Sequence, residues 1–197
     1  MPAFIIFTYQ RTLTMEIIKT EFPDLIIIKP KIFEDSRGYF FESYNKSKLH
    51  ELNNIEFIQD NQSKSIYGTI RGLHYQLEPY AQSKLIRVLD GKILDVVVDL
   101  REKSPTYGKH FSIELSCKEK NQLFIPKGFA HGFSVLSKTA IVLYKTDQFY
   151  NPESERGINF NDPDLAIDWK IKNEDAIVSS KDKVLPPLKE AEKNFKF

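Results

Sequence analysis

The chain has 197 residues, 28 Lys and Arg against 27 Asp and Glu, and a formal charge of +1. That length suits one domain or two small ones, and the charge balance excludes the overall basic field that draws a protein onto nucleic acid or anionic lipid. With 41% hydrophobic residues against 28% charged, the chain can bury a core and is not globally disordered. The single cysteine, Cys117, forms no intramolecular disulfide and fits a reducing cytoplasm.

The first residues, Met1 to Phe7, are apolar but lack a basic lead and a small-residue cleavage site, so they do not read as a signal peptide. No apolar run reaches the roughly 18–20 residues that span a bilayer. Met15 opens an alternating pattern, Glu16-Ile17-Ile18-Lys19, so residues 1–14 read as an N-terminal extension and 15–197 as one domain. Short apolar runs punctuated by Gly, Pro and Asn or Asp then predict an all-β sandwich or barrel of about ten strands. Leu25 to Ile28 is a strand that stops at Pro30, and Asn45 to Leu52 can form a two-turn helix capped by Asn45. Ile86 to Leu89 and Lys92 to Leu100 flank Asp90-Gly91, which predicts a hairpin. After a turn at Ser104 to Gly108, Phe111 to Leu115 alternates strictly and has one buried face. Gln122 to Ile125 and Ala140 to Tyr144 are further strands, and Lys189 to Lys193 is a candidate terminal helix.

Several clusters carry chemistry. Asp35-Ser36-Arg37-Gly38 is a turn, followed by a strand with Tyr39 and Phe41 on one face and Phe40 and Glu42 on the other; alone it reads as a surface hairpin with a paired arginine. In Arg71-Gly72-Leu73-His74-Tyr75-Gln76, alternation puts Arg71, Leu73 and Tyr75 on one side and His74 and Gln76 on the other. An isolated His74 is most simply a hydrogen-bonded core histidine. An interior dense in Arg, His, Gln and Tyr is a poor apolar core, however, and points to a polar cavity. Lys84 shares a face with Ile86 and can project inward or into solvent, and Pro126-Lys127-Gly128-Phe129-Ala130-His131 leads a second histidine into a strand. Metal-binding cupin barrels use two histidines one residue apart, a glutamate and a later histidine; this chain has only His74 and His131 in those contexts, so no metal is expected.

In order, these strings resemble the dTDP-4-dehydrorhamnose 3,5-epimerase family. Besides those quoted they include Gln59-Asp60-Asn61, Ile125-Pro126-Lys127-Gly128-Phe129-Ala130-His131-Gly132-Phe133, Tyr144-Lys145, Glu155-Arg156-Gly157-Ile158 and Lys181-Asp182, and the match runs from about Met15 to Asp182. The resemblance implies a cupin-like jelly-roll barrel with short peripheral helices and an enzyme without cofactor. Its substrate would be a dTDP-4-keto-6-deoxy sugar, epimerised at C-3 and C-5 through an enolate in dTDP-L-rhamnose biosynthesis. It implies His74 as base, Asp182 as its orienting carboxylate, Tyr144 as proton donor and Lys84 as enolate stabiliser. Arg37, Glu42, Gln59, Asp60, Asn61, Arg71, His131, Glu155 and Lys181 correspond to substrate-binding positions, and Tyr150 is a candidate for stacking on thymine or a rim residue. Asp95 is a possible partner of His131. The family also implies a cytoplasmic homodimer in which an early strand pairs with the partner's sheet, with no nucleic-acid or membrane partner. Alternatives are an epimerase acting at one carbon only, a ketoisomerase on another dTDP-4-keto-sugar, and a non-catalytic carbohydrate-binding barrel.

Overall fold

A computed structural model describes residues 15–49, 52 and 55–197; the extension read at 1–14 lies outside them. The strands follow in chain order: β1 (Glu16–Lys19), β2 (Ile26–Lys29), β3 (Phe33–Asp35), β4 (Gly38–Phe40), β5 (Gln59–Ile66), β6 (Thr69–Gln76) and β7 (Lys84–Asp90). The second half adds β8 (Lys92–Asp99), β9 (His110–Ser116), β10 (Gln122–Ile125), β11 (Phe129–Val135), β12 (Thr139–Thr146), β13 (Glu155–Gly157) and β14 (Ile177–Val178). One sheet has the order β1-β2-β10-β7-β12-β5 and the other β13-β6-β11-β8-β9, with β14 parallel to β6; β3 and β4 form a separate hairpin. From β5 onward the chain passes repeatedly from one sheet to the other, which is the jelly-roll sandwich implied by the resemblance.

Three apolar layers follow from alternation. Between the sheets lie Ile86, Val88, Val97, Leu123, Phe133 and Val142 among others. The outer face of the second sheet buries Leu73, Tyr75, Val96 and Val98 under the C-terminal segment with Trp169 and Phe195. The outer face of the first sheet packs Ile26, Ile28, Leu85 and Phe124 against Leu49 and Leu52. Strand β8 is thus covered on both faces, which explains its unbroken apolar run.

The expected hairpin at Asp90-Gly91 does not form. β7 and β8 belong to different sheets, so this turn carries the chain across the sandwich: β7 pairs with β10 and β12, β8 with β9 and β11. A turn dipeptide marks a reversal of the chain and not the partner strand; β8, apolar on both faces, pairs with β9 and β11 in the sheet that is covered on both sides. Gly91 has φ +78°, and a Cβ there would collide with the Thr139 carbonyl oxygen.

The helices are also shorter than expected. Asn45 caps a single 3₁₀ turn, Lys46–Lys48, by accepting from the Ser47 N–H at 3.0 Å, and His50 and Glu51 lie outside the described residues. Lys189–Lys193 holds only a turn in which Glu190 and Ala191 N–H both donate to the Pro187 carbonyl. The α-helical turn, α1, is Ser180–Lys183, with Ser179 accepting from the Asp182 N–H at 3.1 Å. The Ser104–Gly108 turn is architectural: Ser104 and Thr106 hydroxyls donate to buried Asp99 at 2.6 and 2.7 Å, beside the Arg101 guanidinium.

Because Gly91 combines a left-handed backbone with contact against β12, Gly91→Ala is expected to destabilise the fold by about 3 kcal/mol in urea unfolding. A loss below about 0.5 kcal/mol, the level of a neutral surface change, would show that the crossover tolerates a side chain.

Candidate active site

Register explains which side chains face each other across the sandwich. In the first sheet, the row Gln59, Thr146, Lys84 and the row Asn61, Tyr144, Ile86 are paired residues of β5, β12 and β7, so all six point to one face. Ile86 is in the core between the sheets, so this face is the inner one. In the second sheet, His131 pairs with His74, and Gln76 pairs with Glu155. Strict alternation would then turn Arg71 away from His74. Instead the β6–β11 ladder slips between His131 and Phe133, which pair with His74 and Arg71: β6 carries one extra residue. This bulge brings Arg71 and His74 to the same cavity while Leu73 and Tyr75 stay in the outer core. The bulge needs Gly72, at φ +102°, where a Cβ would meet the His131 carbonyl oxygen at 2.5 Å.

The two sheets enclose an open cavity of about 950 Å³ that has Arg71, His74 and His131 on one wall and Lys84 and Tyr144 on the other. Lys181 and Asp182 of α1 also line it. A polar recess of about 130 Å³ shares His74, Lys84 and Tyr144 and adds Gln59, Tyr150 and Glu155. His74 Nε2 lies 2.8 Å from Asp182 Oδ1, and the other Asp182 oxygen accepts from the Gly72 N–H at 3.3 Å. Burial alone would raise the Asp182 pKa, but the bonds from His74, Gly72 and Ser179 together hold it below the usual carboxylate range. On the other histidine, Nε2 of His131 lies 2.9 Å from Oδ2 of the fully buried Asp95.

Burial pushes the Lys84 ammonium down to about 8, against the opposing pull of Asp95 and Glu155. Burial also raises the Tyr144 phenol; Arg71 opposes this and Glu155 adds to it. Glu155 collects the rim: it accepts from the Tyr150 hydroxyl at 2.8 Å and from the Lys181 ammonium. Burial would raise Glu155, yet those two bonds, with the charges of Lys181 and His74, leave it lowered. Arg71 Nε reaches across the sandwich to donate to Ser65 Oγ at 3.0 Å.

Three residues of the family strings lie away from this cavity in their own chain. Arg37 sits on the β3–β4 turn with its side chain 88% exposed, paired to Asp35. Glu42 is bonded to Lys48 at 2.8 Å. Asp60 alternates with Gln59 and Asn61 and therefore takes the outer face, where Lys145, its partner in register, donates to it at 2.8 Å. Side chains that the sequence patterns do not single out are Ser65 and the Ser179 cap; Gln76, which alternation puts on the face of His74, gives no sign there of its backbone partners. Among the described residues, no three His, Cys, Asp or Glu side chains converge as a metal site.

A family model described as dTDP-4-dehydrorhamnose 3,5-epimerase matches residues 19–190. The chain belongs to the dTDP-4-dehydrorhamnose 3,5-epimerase family. It is 51% identical over 170 residues to the dTDP-4-dehydrorhamnose 3,5-epimerase of Shigella flexneri, covering 85% of this chain and 93% of that one. The crystal structure of the Elizabethkingia anophelis dTDP-4-dehydrorhamnose 3,5-epimerase superposes with a TM-score of 0.85 at 53% identity, over 89% of this chain and 97% of that one. The Legionella pneumophila dTDP-6-deoxy-D-glucose-3,5-epimerase, solved in complex with dTDP-4-keto-L-rhamnose, gives 0.86 at 46% identity, over 90% and 94%. The chain is an epimerase of dTDP-rhamnose biosynthesis. Among the described residues, no helix is long and apolar enough to cross a membrane.

The epimerase's Lys84 should stand apart from its other lysines. Carbon-13 NMR of lysine-labelled protein is expected to show one ammonium titrating near pH 8, with Asp95→Asn moving it lower, because the lost carboxylate favoured the charged form. Titration of Lys84 at the ordinary value of about 10.4 would show that the cavity does not desolvate it.

Proposed function

We propose that this epimerase converts dTDP-4-dehydro-6-deoxy-D-glucose to dTDP-4-dehydro-L-rhamnose by inverting C-3 and C-5 through enolate intermediates. The observation that carries this reading is the placement of His74, bonded to Asp182 of α1, on one sheet and of Tyr144 and Lys84 on the facing sheet around one cavity. The C-4 carbonyl acidifies the hydrogens on both neighbouring carbons. Inversion requires a base on one face of the sugar and an acid on the other.

His74 is the base. A proton held between Nε2 and Asp182 leaves its second ring nitrogen unprotonated, and the buried carboxylate stabilises the imidazolium that forms. Tyr144 comes from the opposite sheet, and its raised pKa keeps it protonated at neutral pH to donate to the strongly basic enolate. Lys84 lies on the same face as Tyr144, half-buried, where its positive charge stabilises the enolate oxygen with little competition from water. His131, its ring fixed by Asp95, completes the binding of the sugar.

Arg71 and Lys181, cations that line the cavity, are the diphosphate contacts, and Gln59, Asn61, Tyr150 and Glu155 bind the rest of the substrate. Arg37 and Glu42 reach no part of the cavity in their own chain, so a substrate role for them requires a second chain. That requirement fits the cytoplasmic homodimer built through an early strand, and the outward-facing Tyr39 and Phe40 of the hairpin support an apolar contact there.

Turnover of dTDP-4-keto-6-deoxyglucose in D₂O, followed by NMR, is expected to place deuterium at both C-3 and C-5. Incorporation at one carbon alone would assign the single-carbon epimerase instead, and a 3-keto product the ketoisomerase.

A further inference from the structure

The geometry points to Gln76 as a positioning residue that fixes the loop carrying Tyr150 at the mouth of the active site. Gln76 ends β6 two residues after His74 on the same face, and it is 4% exposed. Both amide N–H donors and the carbonyl oxygen make hydrogen bonds, and all three go to backbone groups. Nε2 donates to the Tyr80 carbonyl at 2.6 Å and to the Phe149 carbonyl at 3.2 Å, and Oε1 accepts from the Asn151 N–H at 2.8 Å. One side chain thereby grips the backbone on both sides of Tyr150 and ties it to the 77–83 loop.

The same two loops meet again where Gln82 Nε2 donates to the Gln148 carbonyl at 2.8 Å and the Ser83 N–H donates to Asp147 Oδ1 at 2.6 Å. The side chain of Tyr150 is held by Glu155, whose backbone pairs in register with Gln76. The backbone on either side of Tyr150 is thus fixed by Gln76, the Tyr150 N–H itself donates to Gln59 Oε1 at 3.3 Å, and the Tyr150 hydroxyl is held by the residue opposite Gln76 on β13. Phe149 and Tyr150 are 61% and 54% exposed, so little packing holds this loop and these polar bonds set its place. A buried amide that satisfies three backbone groups also leaves all three unpaired when it is replaced by an apolar side chain. The effect on catalysis rests on the reading of Tyr150 as a substrate contact; the anchoring itself does not.

Gln76→Met keeps the volume and removes all three bonds. Hydrogen exchange of the Asn151 amide is expected to speed at least about tenfold. KM for the dTDP-keto sugar should rise about tenfold while kcat stays within about threefold, since His74 and Tyr144 are untouched. Tyr150→Ala is expected to raise KM in the parent and to add less than about threefold in the Gln76→Met background, because the two act through one element. Unchanged Asn151 exchange, or an equal Tyr150→Ala cost in both backgrounds, would overturn the proposal. If Gln76→Met does not fold, the isosteric Gln76→Glu decides by KM and by the Tyr150→Ala double variant, since it keeps the acceptor for the Asn151 N–H but sets a carboxylate oxygen against the Tyr80 and Phe149 carbonyls. A Tyr150→Ala change that is silent in the parent refutes the substrate contact of Tyr150, and the exchange rates then decide the anchoring alone.

Discussion

The close approach of β6 and β11 at Gly72 and Gly132 is the constraint on which the site depends. A Cβ on Gly132 would meet the Arg71 carbonyl oxygen at 2.6 Å, and one on Gly72 the His131 carbonyl oxygen at 2.5 Å, so neither strand tolerates a side chain there. The extra residue in β6 at this point reverses its face pattern. Upstream Arg71 and downstream His74 both turn inward, and Ile70 and Leu73 both remain in the outer core. Without the bulge, one of the two polar side chains would be driven into the apolar layer under Trp169, at the desolvation cost of an unpaired buried group. The Gly72 N–H, freed from regular pairing, donates to Asp182, so the same irregularity orients the carboxylate that holds His74.

A protein with a formal charge of +1 nevertheless concentrates charge in this one place. Arg71, Lys84 and Lys181 line the cavity, opposed by Asp95, Glu155 and Asp182. The balance is uneven in depth. Lys181 is tied to Glu155 at the exposed rim, whereas Lys84 sits half-buried on the inner face and feels the longer-range pull of Asp95 and Glu155. A partly desolvated cation with a depressed pKa gains from meeting a new negative charge, which is what an enolate oxygen supplies in the proposed mechanism.

Alternation along the strands makes much of this legible in the sequence. It puts Lys84 on one face with Ile86 but leaves open whether that face is inner or solvated; the core position of Ile86 makes it the inner one, and the register of β7 and β12 adds Tyr144 to it. It fails where the backbone leaves its period: Arg71 lies across the β6 bulge, and a bulge cannot be read from side-chain types when its only mark is a glycine. It also fails at Asp90-Gly91, since the turn signal says nothing about which sheet a doubly buried strand joins. The family strings supply Asp182, far along the chain from His74 and invisible to any local pattern. They also carry Asp60, which shares a string with Gln59 and Asn61 but takes the opposite face of β5 and bonds Lys145. The anchoring by Gln76 is not legible because its partners are backbone groups of distant loops, and a residue type does not reveal those.

In the proposed mechanism His74 removes a proton on one side of the sugar and Tyr144 delivers a different proton on the other. The most direct measurement separates exchange from inversion by following substrate deuteration and product formation together in D₂O for Tyr144→Phe and His74→Ala. The account predicts that Tyr144→Phe still exchanges substrate hydrogens for deuterium while forming epimerised product at least about 10²-fold more slowly, and that His74→Ala loses both by about 10²–10⁴. Exchange at the parent rate in His74→Ala, or inversion at the parent rate in Tyr144→Phe, would contradict it.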